Sequence, residues 1–344
     1  MPRPLRSAVP FTLVCLALAG WLGWDRTGTL AGVLEGLWIV GVLAVLEVSL
    51  SFDNAVVNAA ILRDMAPIWR RRFLTWGMIV AVFGMRVVFP IAIVAIAARI
   101  GPIAALTLSL QHPDQYEHIL HDAHVGIAGF GGAFLLMVGL AFFFDCDKDV
   151  HWIAVVERTL SRFGAVEAIG MALVLTLLWT ISRLLAPDHA LTYLVAGIFG
   201  LVTYVAIEAL NALLAGGSSH GPGAAVRSGL GGFIYLNLLD ASFSFDGVIG
   251  AFALSNNMLV IALGLSIGAM AVRALTLLMV EKQTLAQYRY IEHGAFWAII
   301  ALGVIMLVSA WREVPEAVTG LIGAVLIGLS LWWSVRYKRR EAAA

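Results

Sequence analysis

The chain has 344 residues, 61% of them apolar and 13% charged, with 22 Lys and Arg against 22 Asp and Glu and a mean hydropathy of +0.91. Soluble globular chains carry about twice that charged fraction and roughly 45–50% apolar residues, so composition excludes a disordered chain, a nucleic-acid binder with a basic face and almost any soluble enzyme. It leaves a polytopic membrane protein, and two cysteines, Cys15 and Cys146, are too few for a disulfide framework or a thiolate metal cluster.

A helix that crosses a bilayer needs about 20 mostly apolar residues. In chain order ten segments qualify: 9–24, 31–62, 73–98, 125–144, 164–186, 190–214, 229–254, 257–281, 294–310 and 316–335. The expected fold class is an all-α transmembrane bundle of about ten spans. The first segment follows Arg3 and Arg6 and ends near Ala17-Leu18-Ala19, which suits an ordinary first helix and also a cleavable signal peptide. The second is long for a membrane core; it either tilts or emerges as a soluble helix near Asp64.

Orientation follows the Lys and Arg bias of short loops. With the N-terminus in the cytoplasm, inside segments hold 16 of the 22 cations, and outside segments hold four: Arg26, Arg99, Arg183 and Arg312. The remaining two, Arg86 and Arg273, fall within spans. This bias predicts a multi-pass protein of the cell (inner) membrane with both termini cytoplasmic.

The second span contains Glu47-Val-Ser-Leu-Ser-Phe-Asp53-Asn54, and the seventh contains Asp240-Ala-Ser-Phe-Ser-Phe-Asp246-Gly247. Both read acid-x-Ser-x-Ser-Phe-Asp without a gap. Each is followed by a span with one arginine, Arg86 or Arg273. The motif spans lie five crossings apart, an odd number, so they run in opposite directions. Inverted-topology repeats place transport sites near the bilayer midplane, at the repeat interface. The expected organisation is an N-terminal helix (1–29), a first repeat (30–186), a connecting span (187–228) and a second repeat with a basic tail (229–344).

A carboxylate in hydrocarbon costs about 2.5–3.5 kcal/mol even on the mildest scale. Glu47, Asp53, Asp240 and Asp246 therefore mark a functional site, the alternative being a structural salt-bridge network. At about 100° per residue, Glu47, Ser51 and Asn54 share one stripe, and Asp53 sits about 120° away with Ser49. Asp240, Ser244 and Gly247 relate in the same way to Ser242 and Asp246. One straight helix cannot aim both acids at one point, so either two sites form or the helix breaks within the motif, with freed carbonyls as ligands. Four carboxylates against two arginines leave a net charge of −2, which one divalent cation matches; proton uptake is the other escape. Carboxylates, Asn54 and serine hydroxyls are hard oxygen ligands suited to Mg²⁺, Ca²⁺ or Mn²⁺.

Leu46 through Ala55 resembles the first signature of TerC-like integral membrane proteins, and Asp240 through Ile249, with Gly268 and Arg273-Ala274-Leu275, resembles their second. The Gly131-Gly132 pair fits as well. The resemblance spans about residues 30–335 and is to a longer relative within the LysE superfamily of transporters. It implies export of metal ions from the cytosol, manganese foremost, with tellurite resistance as an older association. By it, Glu47, Asp53, Asn54, Asp240 and Asp246 carry over as metal-site residues. Asp240 departs from an expected Glu, and Gly247 from an expected Ser.

Three weaker features complete the reading. The outside loop Gln111–His124 holds four His and three acids, and reads as a polar surface helix in preference to a metal-holding mouth. Asp145, Asp147 and Asp149 alternate like a calcium loop but lack its later Gly and acid. Glu208, near Tyr204 and Asn211, either supports the site or caps a polar interior. Rival functions are an intramembrane aspartyl protease, whose Gly-x-Gly-Asp context is absent, a membrane scaffold that moves no ions, and a Ca²⁺/H⁺ exchanger. The charge bias predicts that Arg70–Arg72 and Lys338–Arg340 face the cytosol and His118 the outside. Cysteines placed there report it: labelling of intact cells at position 71 with protection at 118 would reverse the arrangement.

Overall fold

The computed structural model describes residues 3–145, 150–163, 168–214, 229–252, 254–312 and 314–341, apart from a few side chains, those of Asp246 and Asn211 among them. In chain order the first elements are α1 (Arg3–Thr27), α2 (Leu30–Leu50), α3 (Phe52–Asp64), α4 (Pro67–Ile79), a π-helical segment (Val80–Val88) and α5 (Phe89–Ala97). Next come α6 (Pro102–Gln111), α7 (Pro113–Phe144), α8 (Ala154–Phe163), α9 (Ala168–Ser182) and α10 (Pro187–Leu214). The chain continues with α11 (Gly229–Phe252), α12 (Met258–Glu281), α13 (Thr284–Gln287), α14 (Ile291–Ser309) and α15 (Glu316–Glu341).

No strand occurs among the described residues. Eight stretches are long and apolar enough to cross a membrane: α1, α2, the π segment with α5, α7, α10, α12, α14 and α15. The two other apolar segments of the sequence are occupied by α9, only 15 residues long, and by α11, which carries the acids of the second motif. Apolar side chains such as Trp38, Ile96, Ile103 and Leu191 stand exposed on the bundle; in water such a surface would aggregate, and in lipid it is the expected one. The chain is an all-helical multi-pass membrane protein.

Segment 31–62 is two helices meeting at Ser51, whose φ of −102° and ψ of 16° leave the helical region. The motif's own side chains cause the break. Ser49 Oγ donates to the Val45 carbonyl at 2.8 Å, a back-bond that bends helices. Asn54 N–H donates to the Asp53 carboxylate at 2.9 Å in place of the Leu50 carbonyl, its partner in an unbroken helix. Farther along, Arg70 caps the end of α3, donating to the Leu62 carbonyl at 2.9 Å and the Arg63 carbonyl at 2.7 Å.

The π segment has a similar local origin. Pro90 has no N–H to offer the Arg86 carbonyl, so the i to i−4 ladder lapses just before it, and Val80–Val88 winds with the wider turn. Such segments re-aim side chains at functional positions, and Arg86 lies on this one, pointing into the bundle.

The π segment packs on α11 and α12, α2 packs on α12, and α7 packs on α14 and α10. Without a hydrophobic drive between helices in lipid, small residues decide where backbones approach. A Cβ at Gly132 would sit 2.9 Å from the Gly303 carbonyl. One at Gly268 would sit 2.4 Å from Glu47 Cβ and 2.9 Å from the Ala44 carbonyl, so α12 rests on α2 directly beneath Glu47. Gly41 on the same α2 has nothing within 4 Å. Gly268→Ala is expected to lower the thermal midpoint in detergent by several degrees. Gly41→Ala should leave it unchanged or raise it slightly, since helical Gly to Ala stabilises by roughly 0.5–1 kcal/mol. Equal midpoints for the two variants would contradict the close crossing.

Candidate functional site

Glu47, 1% exposed, accepts from Ser51 Oγ at 2.9 Å and from the Arg86 guanidinium. The second guanidinium nitrogen of Arg86 donates to Ser244 Oγ on α11. Gly247, one turn on, keeps α11 close: a Cβ there would lie 3.2 Å from Glu47 Oε2. The acid of the first motif thus meets a serine and a glycine of the second through one arginine. The reciprocal arrangement surrounds Asp240, which accepts from Asn58 Nδ2 at 2.8 Å and lies 3.7 Å from Arg273 Nη1. Arg273 also donates to the Phe73 carbonyl and rests 3.8 Å from the centroid of the Phe73 ring.

Asp53 differs from both. It is 8% exposed, its Oδ1 accepts the Asn54 N–H, and no Lys or Arg pairs with it among the described residues. Gly323 of α15 lies over it, where a Cβ would come within 2.9 Å of Asp53 Oδ2.

Glu47 and Asp53 share one cavity of about 790 Å³. Leu50, Ser51 and Gly247 complete its floor. Its mouth is formed by Glu117, His121, Asp122 and His124 of α7, by His189 of α10, and by Ser309 and Trp311 at the end of α14. The break at Ser51 is what admits both acids, because a straight helix would hold them about 120° apart. The described lining has four carboxylates, Glu47, Asp53, Glu117 and Asp122, and neither Lys nor Arg. Arg86 pairs with Glu47, and the described lining still holds more acidic groups than Lys or Arg, a field that low-dielectric walls focus.

The other expected site residues are distributed as follows. Asp240 lies outside the cavity lining, behind Asn58 and Arg273. Asn54 is buried, and its Oδ1 has no hydrogen-bond partner among the described residues. Ser242 bonds back to the Leu238 carbonyl at 3.0 Å. Ser49 is exposed on the outer surface, because the break separates its direction from that of Asp53. Glu208 accepts from Tyr204 OH at 2.8 Å and does not line the cavity. The Asp246 side chain, Asp147 and Asp149 lie outside the described residues. Among the described residues no three His, Cys, Asp or Glu stand close enough to clasp a metal together.

The fold and site define a class: a helical membrane protein with acid–arginine pairs inside the bundle and an acidic cavity reaching one face. The chain belongs to the family described as Protein of unknown function (DUF475), whose model matches residues 52–341. The match takes in Asp53 and the whole second motif and begins just after Glu47. Neither the curated proteins nor the solved structures contain a match to it.

One charged cluster was missed from sequence. Glu157 of α8 is 1% exposed. It accepts from the N–H of Trp152 at 2.8 Å and of Ile153 at 3.2 Å, and from Trp297 Nε1 at 3.0 Å. His293 Nδ1 lies 3.0 Å away and His151 Nδ1 3.7 Å away. An imidazole in the first turn of the apolar α14 was the available signal. Burial pushes the Glu157 carboxyl up, but the His293 contact, Trp297 and the Ile153 N–H outweigh it, taking it from 4.5 to about 2. A depressed carboxylate stabilises the fold above its ordinary range, and here that contribution is lost as pH falls from about 4.5 to about 2. Glu157→Gln is expected to cost about 1–3 kcal/mol at neutral pH and to flatten the loss of stability across that acid window. Thermal melts in detergent at stepped pH measure both, and a variant melting like the parent at pH 7 would count against the clamp.

Proposed function

We propose that this protein exports a divalent metal cation from the cytosol, Mn²⁺ foremost, through a carboxylate site at the interface of two inverted repeats. The observation that carries the reading is the cavity, which joins buried Glu47 and Asp53 to one face through a described lining of four carboxylates and no Lys or Arg. That face is where α7 and α10 begin and α14 ends, the side that the charge bias assigns to the exterior. A lining of this sign suits a cation and opposes a tellurite-type oxyanion.

Two further observations support the reading. The helix breaks inside the first motif, as the binding helices of transporters do. Corresponding elements of the two halves also pack as a two-fold exchange requires: α2 on α12, the π segment on α11, and α7 on α14. Carboxylates, Ser51 and the unpartnered Asn54 Oδ1 are hard donors that serve Mn²⁺, Ca²⁺ or Mg²⁺. The metal is cargo, and the protein acts as a transporter and not an enzyme.

Asp53→Asn and Asp246→Asn are each expected to abolish export while the protein still reaches the membrane. The amide keeps the size and removes one charge from the match to a +2 ion, and loss of a buried carboxylate without a cation need not destabilise the fold. Arg86→Gln strands Glu47 and is expected to lower expression instead. Intracellular metal content, measured for several divalent ions with and without each variant, decides the matter. If both Asn variants, normally expressed, lower Mn²⁺ as the parent does, the acids are structural and a scaffold role takes precedence.

A further inference from the structure

Resting on that reading, we propose that the cavity mouth is a release station in which imidazoles join carboxylates to receive the cation from the floor. The station favours a borderline metal such as Co²⁺ most, and the harder Mn²⁺ to a smaller degree, over Ca²⁺ and Mg²⁺. The floor, Glu47, Ser51 and Asp53, offers oxygen alone and has little means of separating these ions. The mouth adds nitrogen. Glu117, His121 and His124 follow the i, i+4, i+7 spacing of one helical face, and all three line the cavity, opposite His189 of α10. The rings of His121 and His124 stack with centroids 6.4 Å apart.

The stripe is open to solvent at the cavity mouth, with His121 exposed and Glu117 and His124 half-buried. Tyr116 and Leu120, on the adjoining stripe of α7, are buried in a hydrophobic cluster, which fixes the rotation of the helix and turns the polar stripe onto the cavity. His118, beside that stripe, points away: its side chain is 78% exposed and pairs with Asp122 at 3.0 Å.

The mouth residues do not form a closed cage, since among the described residues no three potential ligands stand close enough to share one ion. That suits release. A site at an exit must bind well enough to draw the ion out and weakly enough to let it go; one or two imidazoles with water completing the shell do so. Imidazole gains most with later transition metals, following the order Mn²⁺ < Fe²⁺ < Co²⁺, and little with Ca²⁺ or Mg²⁺.

The test uses the full chain, purified and reconstituted in vesicles, with transport of Mn²⁺, Co²⁺, Ca²⁺ and Mg²⁺ measured in parallel. In the triple variant His121→Ala, His124→Ala, His189→Ala, Co²⁺ transport should fall severalfold and Mn²⁺ transport by less, with Ca²⁺ and Mg²⁺ unchanged, and His118→Ala should behave as the parent. In detergent the triple variant should bind Co²⁺ about tenfold more weakly by titration, whereas Asp53→Asn should retain the imidazole-dependent binding. If the triple variant does not accumulate, His121→Ala alone carries the same comparison. An unchanged ratio of Mn²⁺ to Ca²⁺ transport, or unchanged Co²⁺ binding, overturns the station while leaving the floor reading intact. A parent that moves none of the four ions overturns the transport reading and the release role with it.

Discussion

A carboxylate buried among apolar helices is far less costly with a cation beside it, and for Glu47 that cation is Arg86. Much of the local architecture serves this pair. Pro90 interrupts the ladder of its helix, and the π segment that results carries Arg86 into the bundle. The guanidinium bridges Glu47 and Ser244, tying α2 and the π segment to α11. Gly268 lets α12 close on α2 beneath Glu47, and Gly247 lets α11 close on its carboxylate. Asp240 with Arg273 and Asn58 ties the opposite side in the same manner.

These pairs divide the acids by role. Glu47 and Asp240 are each matched by an arginine, and their contacts hold helices in place. Asp53 has no described cation, sits where the helix breaks and faces the cavity with Glu47. Of the two floor carboxylates, one is paired with a guanidinium and the other has no Lys or Arg partner among the described residues. On the proposed transport reading, that asymmetry would give Asp53 the larger electrostatic stake in an arriving cation, with Arg86 holding Glu47 in position.

The repeated motif made part of this legible. Its two acids lie about 120° apart on a straight helix, which left either two sites or a break, and the break occurs at Ser51. The second copy did not follow: α11 runs unbroken through Ser244 and Gly247. Ser242 bonds back to the Leu238 carbonyl there as Ser49 does to Val45, so the hydroxyls alone do not break a helix. In the first copy, the N–H of Asn54, just after the motif's last acid, turns to the Asp53 carboxylate. The acidic and imidazole-rich segment before His124 read as a surface helix, and His118 and His121 are indeed exposed, but spacing did not reveal that Glu117, His121 and His124 border the cavity. The Glu157 cluster was invisible for a related reason: besides its neighbours His151, Trp152 and Ile153, it depends on Trp297 and His293, some 140 residues away on α14.

What the sequence by itself determined was the membrane class, most of the apolar helices long enough to cross, the motif pair and the residues too costly to bury without purpose. Those follow from composition and from the energy of charge in hydrocarbon, both of which are local properties. The tertiary structure alone decided which acids share a space. Glu47 and Asp53 face one cavity, while Asp240 stands apart behind Arg273, because helix crossings at Gly268, Gly247 and Gly323 set where each side chain ends. Those crossings depend on backbones meeting within a few ångströms across segments distant in the chain, a constraint that spacing along one helix does not contain.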